Sequence, residues 1–433
     1  MDRRTFARNA SLVTGGLMLG VHRSASAETN GHEPASGEPL PGDCDLPAAI
    51  TSLKPLPAVA AITDDERRAR IEKARRLMKE QGIGAMVLEH GTSMNYFTGV
   101  RWGLSERPFV VVIPAEGELA YVAPGFEEAR AREVIKFATD VRVWQEDESP
   151  YQRIAEILKD RGAATGKIAW EERMRFFIVD GVAKELPAAQ ATIATPVTAG
   201  CRMFKSPAEI ALMQRANDIT LAAIGVAFSL LKEGMTQGDL NRLLGAAHEK
   251  LGAAGEGLIM FGKYTAFPHG SITVQRLKEG DMVLIDAGCQ VEGYTSDITR
   301  MAVYGKPTAR QLQVWEIEKK AQNAAFKAAQ VGAACESVDA AARKVITDAG
   351  FGPDYKVPGL PHRTGHGIGL DGHEWTNFVR GNKTPIRPGM CFSDEPTIAI
   401  YGEFGCRLED CLHITDSGPV FFSKQSESLE HPV

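Results

Sequence analysis

The chain has 433 residues, 44% of them apolar and 24% charged, which is enough to bury the cores of two domains with peripheral segments. A formal net charge of −6 without a basic stripe argues against nucleic acid as a partner.

In chain order, the first 27 residues read as a targeting segment. Arg3-Arg4-Thr5-Phe6 is a twin-arginine pattern, an apolar run from Leu12 to Val21 follows, and Ala25-Ser26-Ala27 supplies small residues for cleavage after Ala27. The run is too short for a comfortable membrane span. The expectation is bacterial export, in folded form, to the periplasm or beyond, with no stable span once the signal is removed. Residues 28–60, rich in Pro, Gly, Ser and Ala, read as a flexible leader.

Order is expected from Thr63-Asp64-Asp65-Glu66, a capping box opening a helix with the apolar stripe Ile71, Ala74, Leu77 and Met78. Strand signals at residues 85–88, 109–113 and 119–122, and helical ones near 126–135 and 151–160, alternate in the manner of an α/β domain over residues 61–200. A second domain, residues 201–424, opens at Ser206-Pro207-Ala208-Glu209, a capping box with proline at the first helical position, leading a helix to about Lys232. Thr236 to Asp239 repeats the signal, and further helices are expected near 310–330 and 338–349. Residues 425–433 read as a tail. Seven cysteines (Cys44, Cys201, Cys289, Cys335, Cys391, Cys406, Cys411) have no metal-type spacing. Buried thiols are expected, with one bridge among Cys391, Cys406 and Cys411 as the alternative in an oxidising compartment.

Two hairpins carry the chemistry. From Asp286 to Asp297 an apolar strand gives way to polar residues and a glycine, then returns. A turn centred on Val291 and Glu292 would set the two aspartates opposite one another, with Cβ atoms about 4.5–5.5 Å apart. From Glu395 to Glu409 the midpoint is Gly402, so these glutamates also meet, subject to a ladder defect at Pro396. Like charges placed opposite one another destabilise a sheet unless cations occupy the space between them. Between the hairpins lies Pro361-His362-Arg363-Thr364-Gly365-His366-Gly367-Ile368-Gly369-Leu370-Asp371-Gly372-His373-Glu374, where glycines permit close backbone approach around three histidines. Four carboxylates and one imidazole suit two divalent ions. Oxygen-rich ligation points first to Mn²⁺, with Co²⁺, Zn²⁺ or Fe²⁺ as alternatives, and two ions about 3.5–4 Å apart imply metal-assisted hydrolysis. Arg407 shares a strand face with Glu409 and can bond either metal-bound carboxylates or a substrate carboxylate. Tyr294 and Thr299 flank the aspartates as candidate donors to them or as packing groups.

These residues resemble a family. Phe267-Pro268-His269, Asp286-Ala287-Gly288, Ser296-Asp297-Ile298-Thr299-Arg300, Gly365-His366-Gly367 with His373-Glu374, Asp394-Glu395-Pro396 and Arg407-Leu408-Glu409-Asp410 are similar to the pita-bread metallopeptidases, above all Xaa-Pro aminopeptidase and prolidase. The resemblance implies an α/β creatinase-type N-terminal domain, matched also by Asn95-Tyr96-Phe97-Thr98-Gly99, followed by an α+β pita-bread catalytic domain of two similar halves. It implies that Asp286 and Asp297 hold one metal, His366 and Glu395 the other, and that Asp297 and Glu409 bridge them around a shared hydroxide. It assigns catalytic roles to His269, His373 and Glu395 and pocket positions to His362 and Arg407. In oligomeric relatives a loop of the N-terminal domain reaches a neighbouring site, so Trp102 is a candidate pocket wall and a homodimer or homotetramer is expected. X–Pro preference follows from the resemblance alone. The alternative is a non-peptidase of the same fold, a small-molecule C–N hydrolase or a lyase.

Overall fold

A computed structural model of the chain describes residues 46–433, so the targeting segment and Cys44 lie outside the described residues. Among the described residues no helix is long and apolar enough to cross a membrane.

The N-terminal domain is built on a six-stranded mixed sheet, ordered Asp140–Trp144, Ala120–Pro124, Val110–Pro114, Ile83–Glu89, Gly166–Trp170 and Ala189–Ile193. Alternation along the central strands sends neighbouring side chains into two different cores. Met86, Leu88, Val111, Ile113 and Tyr121 share one core with residues of the helices Asp64–Gln81 and Thr92–Thr98. Ala85, Val87, Val110, Val112 and Val122 share the other with residues of Pro150–Asp160 and Phe176–Glu185. Burial on both faces is why these strands are continuous apolar runs in the sequence. Helix Asp64–Gln81 starts where expected, with Thr63 accepting a hydrogen bond from the Glu66 N–H, and Gly82 ends it in a left-handed conformation.

The C-terminal domain has two halves, each an antiparallel sheet covered by two helices. Helices Pro207–Ser229 and Gln237–Leu251 open with reciprocal capping boxes, Ser206 with Glu209 and Thr236 with Asp239. They cover strands in the order Ile298–Val303, Met282–Val291 and Gly255–Phe261. In the second half, helices Ala309–Ala328 and Cys335–Asp348 cover Glu374–Phe378, Gly365–Gly367, Cys391–Asp394, Asp410–Thr415 and Gly418–Phe421. Strand Met282–Val291 is buried on both faces. Val283, Ile285, Ala287 and Cys289 pack with the first pair of helices, whereas Met282 and Leu284 enter the core of the second half. The two-residue period puts Asp286 on the face of Met282 and Leu284, so the fold delivers its carboxyl between the halves.

Two boundaries differ from the sequence reading. In the supposed leader, Ile50 is fully buried in the core of the first half, the partly buried Leu46, Leu53 and Leu56 pack against that core, and the Leu56 N–H donates to the Leu251 carbonyl at 3.0 Å. Proline and alanine content masked an apolar stripe at positions 46, 50, 53 and 56. The supposed tail is also packed: Leu429 belongs to the core of the second half, and Gln425 donates to Gln322 at 2.9 Å. The six described cysteines are buried free thiols.

If residues 46–56 are part of the folded core, Ile50→Ala should destabilise the protein by about 2–5 kcal/mol, read from denaturant unfolding. A change within about 0.5 kcal/mol would return the segment to a flexible leader.

Candidate active site

The aspartate hairpin turns one residue later than expected. Val291 pairs with Tyr294 and Gln290 with Thr295, so Glu292 and Gly293 form the two-residue turn, at φ 52° and 90°. Positive φ at both central positions is what a tight hairpin of the right twist requires, and Gly293 meets it without strain. The one-residue shift sets Asp286 opposite Thr299 rather than Asp297. Because the paired position moves by two, Asp297 stays on the same face as a diagonal neighbour. The ladder breaks at Ser296 and Asp297, where the Ser296 carbonyl comes within 2.3 Å of the place a Cβ on Gly288 would occupy. A side chain at position 288 would push Asp297 off course.

The glutamate hairpin has the expected register. Asp394 pairs with Asp410 on one side and Thr397 with Arg407 on the other, which places Glu395 and Glu409 opposite one another across the interruption at Pro396. Backbone bonds fix both residues. The Glu395 N–H donates to the Thr364 carbonyl at 2.8 Å, and Glu409 and Thr299 exchange backbone hydrogen bonds at 3.2 and 3.3 Å. Thr299 therefore joins the two hairpins, since it faces Asp286 in one ladder and bridges Glu409 in the other.

His366, on strand Gly365–Gly367, closes the constellation. Its Nε2 lies 3.2 Å from Glu395 Oε1 and 3.8 Å from Asp297 Oδ2. Ligand atoms of Asp297, His366 and Glu409 all fall within 4.8 Å of one another. Nδ1 lies 3.1 Å from the Gly367 carbonyl, so that nitrogen is assigned the proton and Nε2 presents a lone pair to the carboxylates. Burial, with the neighbouring His373, holds the imidazole well below its ordinary pKa and keeps it neutral. Burial raises the carboxyls in turn. Asp297 is further raised by Asp286 and Glu395, Glu409 by Asp297, Glu395 and Asp286, and Glu395 reaches about 7. A neutral imidazole lone pair aimed at acids that resist ionisation together is the donor set a divalent cation fits.

Several groups hold these ligands in place. Thr299 Oγ1 donates to Glu409 Oε2 at 2.7 Å, and Ser393 Oγ donates to Glu395 Oε1 at 3.3 Å while accepting the His366 N–H at 3.0 Å. Arg407 is turned toward the ligands. It donates to Asp286 Oδ2, to Thr299 Oγ1 at 3.1 Å and to the Pro268 carbonyl at 3.0 Å, so each of its three nitrogens is engaged. Through Pro268 it also anchors the segment bearing His269, which is exposed.

The other expected pocket residues are placed as follows. The His373 ring stacks on His366 at 3.8 Å and receives Arg363 Nη2 on its Nδ1 at 2.8 Å. His362 is half-buried, with Nε2 3.1 Å from Thr397 Oγ1 and Nδ1 2.7 Å from the Arg363 carbonyl. Burial and the charge of Arg407 push it down to about 3, so it is neutral. Trp102 lies against the core of its own N-terminal domain. Its ring lies flat on Phe109 at 4.1 Å, and the Arg130 guanidinium sits 4.7 Å from its centroid, which commits it to the N-terminal core rather than to the ligands of its own chain. Tyr294 also turns away, donating to Glu209 at 2.7 Å and accepting from Arg70 at 3.1 Å in a buried contact between the domains. Ser393 and Arg363 were missed. Ser393 had a signal, because it lies two residues before Glu395, on the strand that leads into it.

Comparison with known proteins agrees with this geometry. Residues 211–416 match the model of metallopeptidase family M24, and residues 70–204 match the Creatinase/Prolidase N-terminal domain. An Xaa-Pro dipeptidase of Lactobacillus delbrueckii subsp. lactis is 30% identical over 368 residues, covering 83% of this chain and 98% of that relative. An uncharacterized peptidase of Schizosaccharomyces pombe is 34% identical over 394 residues, covering 86% and 85%. Among solved structures, a dipeptidase from Mycobacterium ulcerans superposes with a TM-score of 0.78 at 30% identity, covering 85% of this chain and 98% of that one. A prolidase from Thermococcus sibiricus gives 0.76 at 30% identity, covering 84% and 98%. With both domains matched and the two acidic hairpins meeting on one histidine, this chain belongs to metallopeptidase family M24 and carries the Creatinase/Prolidase N-terminal domain.

Proposed function

We propose that the protein hydrolyses the X–Pro bond of short peptides, most simply dipeptides, with two divalent cations of which Mn²⁺ is the first candidate. The observation that carries this reading is the convergence of Asp297, His366 and Glu409 ligand atoms within 4.8 Å, with Asp286 and Glu395 acting on the same carboxyls. The dipeptidase and prolidase names of the relatives favour X–Pro dipeptides over longer peptides.

In this reading Asp286, Asp297, His366, Glu395 and Glu409 would hold the two cations, Asp286 and Asp297 on one side and His366 and Glu395 on the other, with Asp297 and Glu409 serving both. Bound there, the cations would polarise the scissile carbonyl and make water a stronger nucleophile. The side chains supply the rest. Glu395 is the group that takes and returns a proton. The peptide bond before proline has no N–H to donate, so recognition must come from donors aimed at carbonyl and carboxylate oxygens. His373, stacked on the ligand His366, and His269, both exposed, are assigned that role and the stabilisation of the developing oxyanion. His362, held neutral, lines the pocket without adding charge. Arg407 acts as a brace for Asp286 and Thr299. The proposal extends to twin-arginine export on the strength of Arg3-Arg4-Thr5-Phe6, and to a homodimer or homotetramer.

Purified protein supplied with Mn²⁺ should release free proline from X–Pro dipeptides and stop on chelation. Bound metal with no cleavage of any X–Pro di- or tripeptide would assign the pocket to a C–N hydrolase or lyase. Glu409→Gln should lower kcat at least about 100-fold and weaken metal retention, and near-normal turnover would remove Glu409 from the bridging position. A pH effect follows as well. A carboxyl raised from 4.5 to about 7 favours the fold while protonated, so its contribution is complete at acid pH and is lost as pH rises through about 7. The melting temperature of metal-free protein should therefore fall between about pH 5 and about pH 8, and saturating Mn²⁺ should remove the decline. Equal declines with and without metal would contradict the assignment.

A further inference from the structure

The loop from Ile368 to His373 joins the metal-site strand Gly365–Gly367 to strand Glu374–Phe378, and it is seated on the N-terminal domain. Ile368 and Leu370 belong to that domain's buried cluster. The residues bracketing His373 are bound more tightly still. Asp371 accepts hydrogen bonds from Thr92 Oγ1 at 2.7 Å, Arg173 Nη1 at 3.3 Å and Arg202 Nη2 at 2.6 Å. Glu374 accepts from the same Arg202 Nη2 at 2.5 Å and from Lys205 Nζ at 2.9 Å, and its Oε1 caps the Asp371 N–H at 3.2 Å. Arg202 Nη1 completes the set by donating to Ser93 at 3.3 Å. At the near end, the Thr295 N–H of the aspartate hairpin donates to the Gly369 carbonyl at 2.8 Å.

We propose that Arg202 is a positioning residue for His373: one buried guanidinium from the end of the N-terminal domain grips both carboxylates that flank the histidine and so sets its imidazole over the metal site. The proposal rests on the reading that His373 acts on substrate. Arg202 is 2% exposed, and its Nη2 is shared between Asp371 and Glu374, so the backbone on both sides of His373 is referred to a single atom. Burial alone would raise the Glu374 carboxyl, but Arg202 and Lys205 overcome it and hold it ionised, near 2. Gly369 makes the approach feasible, because a Cβ there would meet Lys205 Cε at 2.7 Å and Glu374 Oε2 at 2.8 Å. The imidazole itself then has two further supports, the stacking ring of His366 and the Arg363 guanidinium. On this account the N-terminal domain is a working part of the active site rather than a passive neighbour.

Arg202→Ala would leave Glu374 charged and buried with half its partners, an invitation to unfold. The test therefore uses Asp371→Asn and Arg202→Lys, each made in the wild-type chain and in His373→Ala. Asp371→Asn should lower kcat on an X–Pro dipeptide by about 10- to 100-fold with KM and metal content little changed. Arg202→Lys, which retains the charge but not the shared fork, should do the same. In the His373→Ala background neither substitution should reduce kcat further, because the residue they act through is gone. Equal fold-losses in both backgrounds would make the network domain packing only and overturn the proposal, as would full activity in His373→Ala. A second readout does not need turnover. In histidine-labelled protein the His373 ring resonance, identified by its loss in His373→Ala, should shift in Asp371→Asn while that of distant His413 does not. An unmoved His373 resonance overturns the proposal. Wild-type protein that cleaves no X–Pro peptide would end the functional reading, and the resonance would still decide the positioning one.

Discussion

Repulsion among four carboxyl groups gathered on one buried imidazole is the constraint that the rest of the C-terminal domain is arranged to bear. The groups come in two pairs, one from a hairpin in each half, and each half has its own sheet and its own pair of covering helices. Neither hairpin needs cations to form. Bringing them together has a cost, because charge that is tolerable at a wet strand end becomes expensive once burial removes the water. Protonation is the relief available to the chain alone, which is why burial and mutual repulsion raise Asp297, Glu395 and Glu409 together. Divalent cations are the relief that leaves the carboxylates ionised and useful.

The ligands are held by contacts that use no metal. Thr299 is paired with Asp286 in one ladder, bridges Glu409 in another, and donates its hydroxyl to the Glu409 carboxylate. Arg407 reaches Asp286 and the same threonine hydroxyl. Ser393 ties Glu395 to the His366 backbone. Such preorganisation limits the side-chain entropy lost when cations bind and keeps the ligand geometry nearly independent of their presence. The N-terminal domain extends the same logic outward, since its arginine clamps the loop that presents His373.

Much of this was legible in the residues, and the exceptions have local causes. The Glu395 and Glu409 register followed from the midpoint at Gly402 because both ladder segments around Pro396 share it. The Asp286 register was off because the turn takes Glu292 into positive φ, which no sequence pattern marks for a glutamate. Symmetry of the two-residue period spared the conclusion, since Asp297 stayed on the ligand face. Residues 46–60 were misread from proline and alanine content when the spacing of Leu46, Ile50, Leu53 and Leu56 held the better signal. The grip of Arg202 on Asp371 and Glu374 was out of reach, because nothing local connects an arginine at the end of one domain to a loop far along the chain.

The most direct test is calorimetric titration of metal-free protein with Mn²⁺ at neutral pH, with the heat followed in buffers of different ionisation enthalpy. Two ions per chain should bind, with protons released as the raised carboxyls ionise. Binding of no metal, or of metal without proton release, would contradict the claim that cations are what make this cluster of acids tolerable.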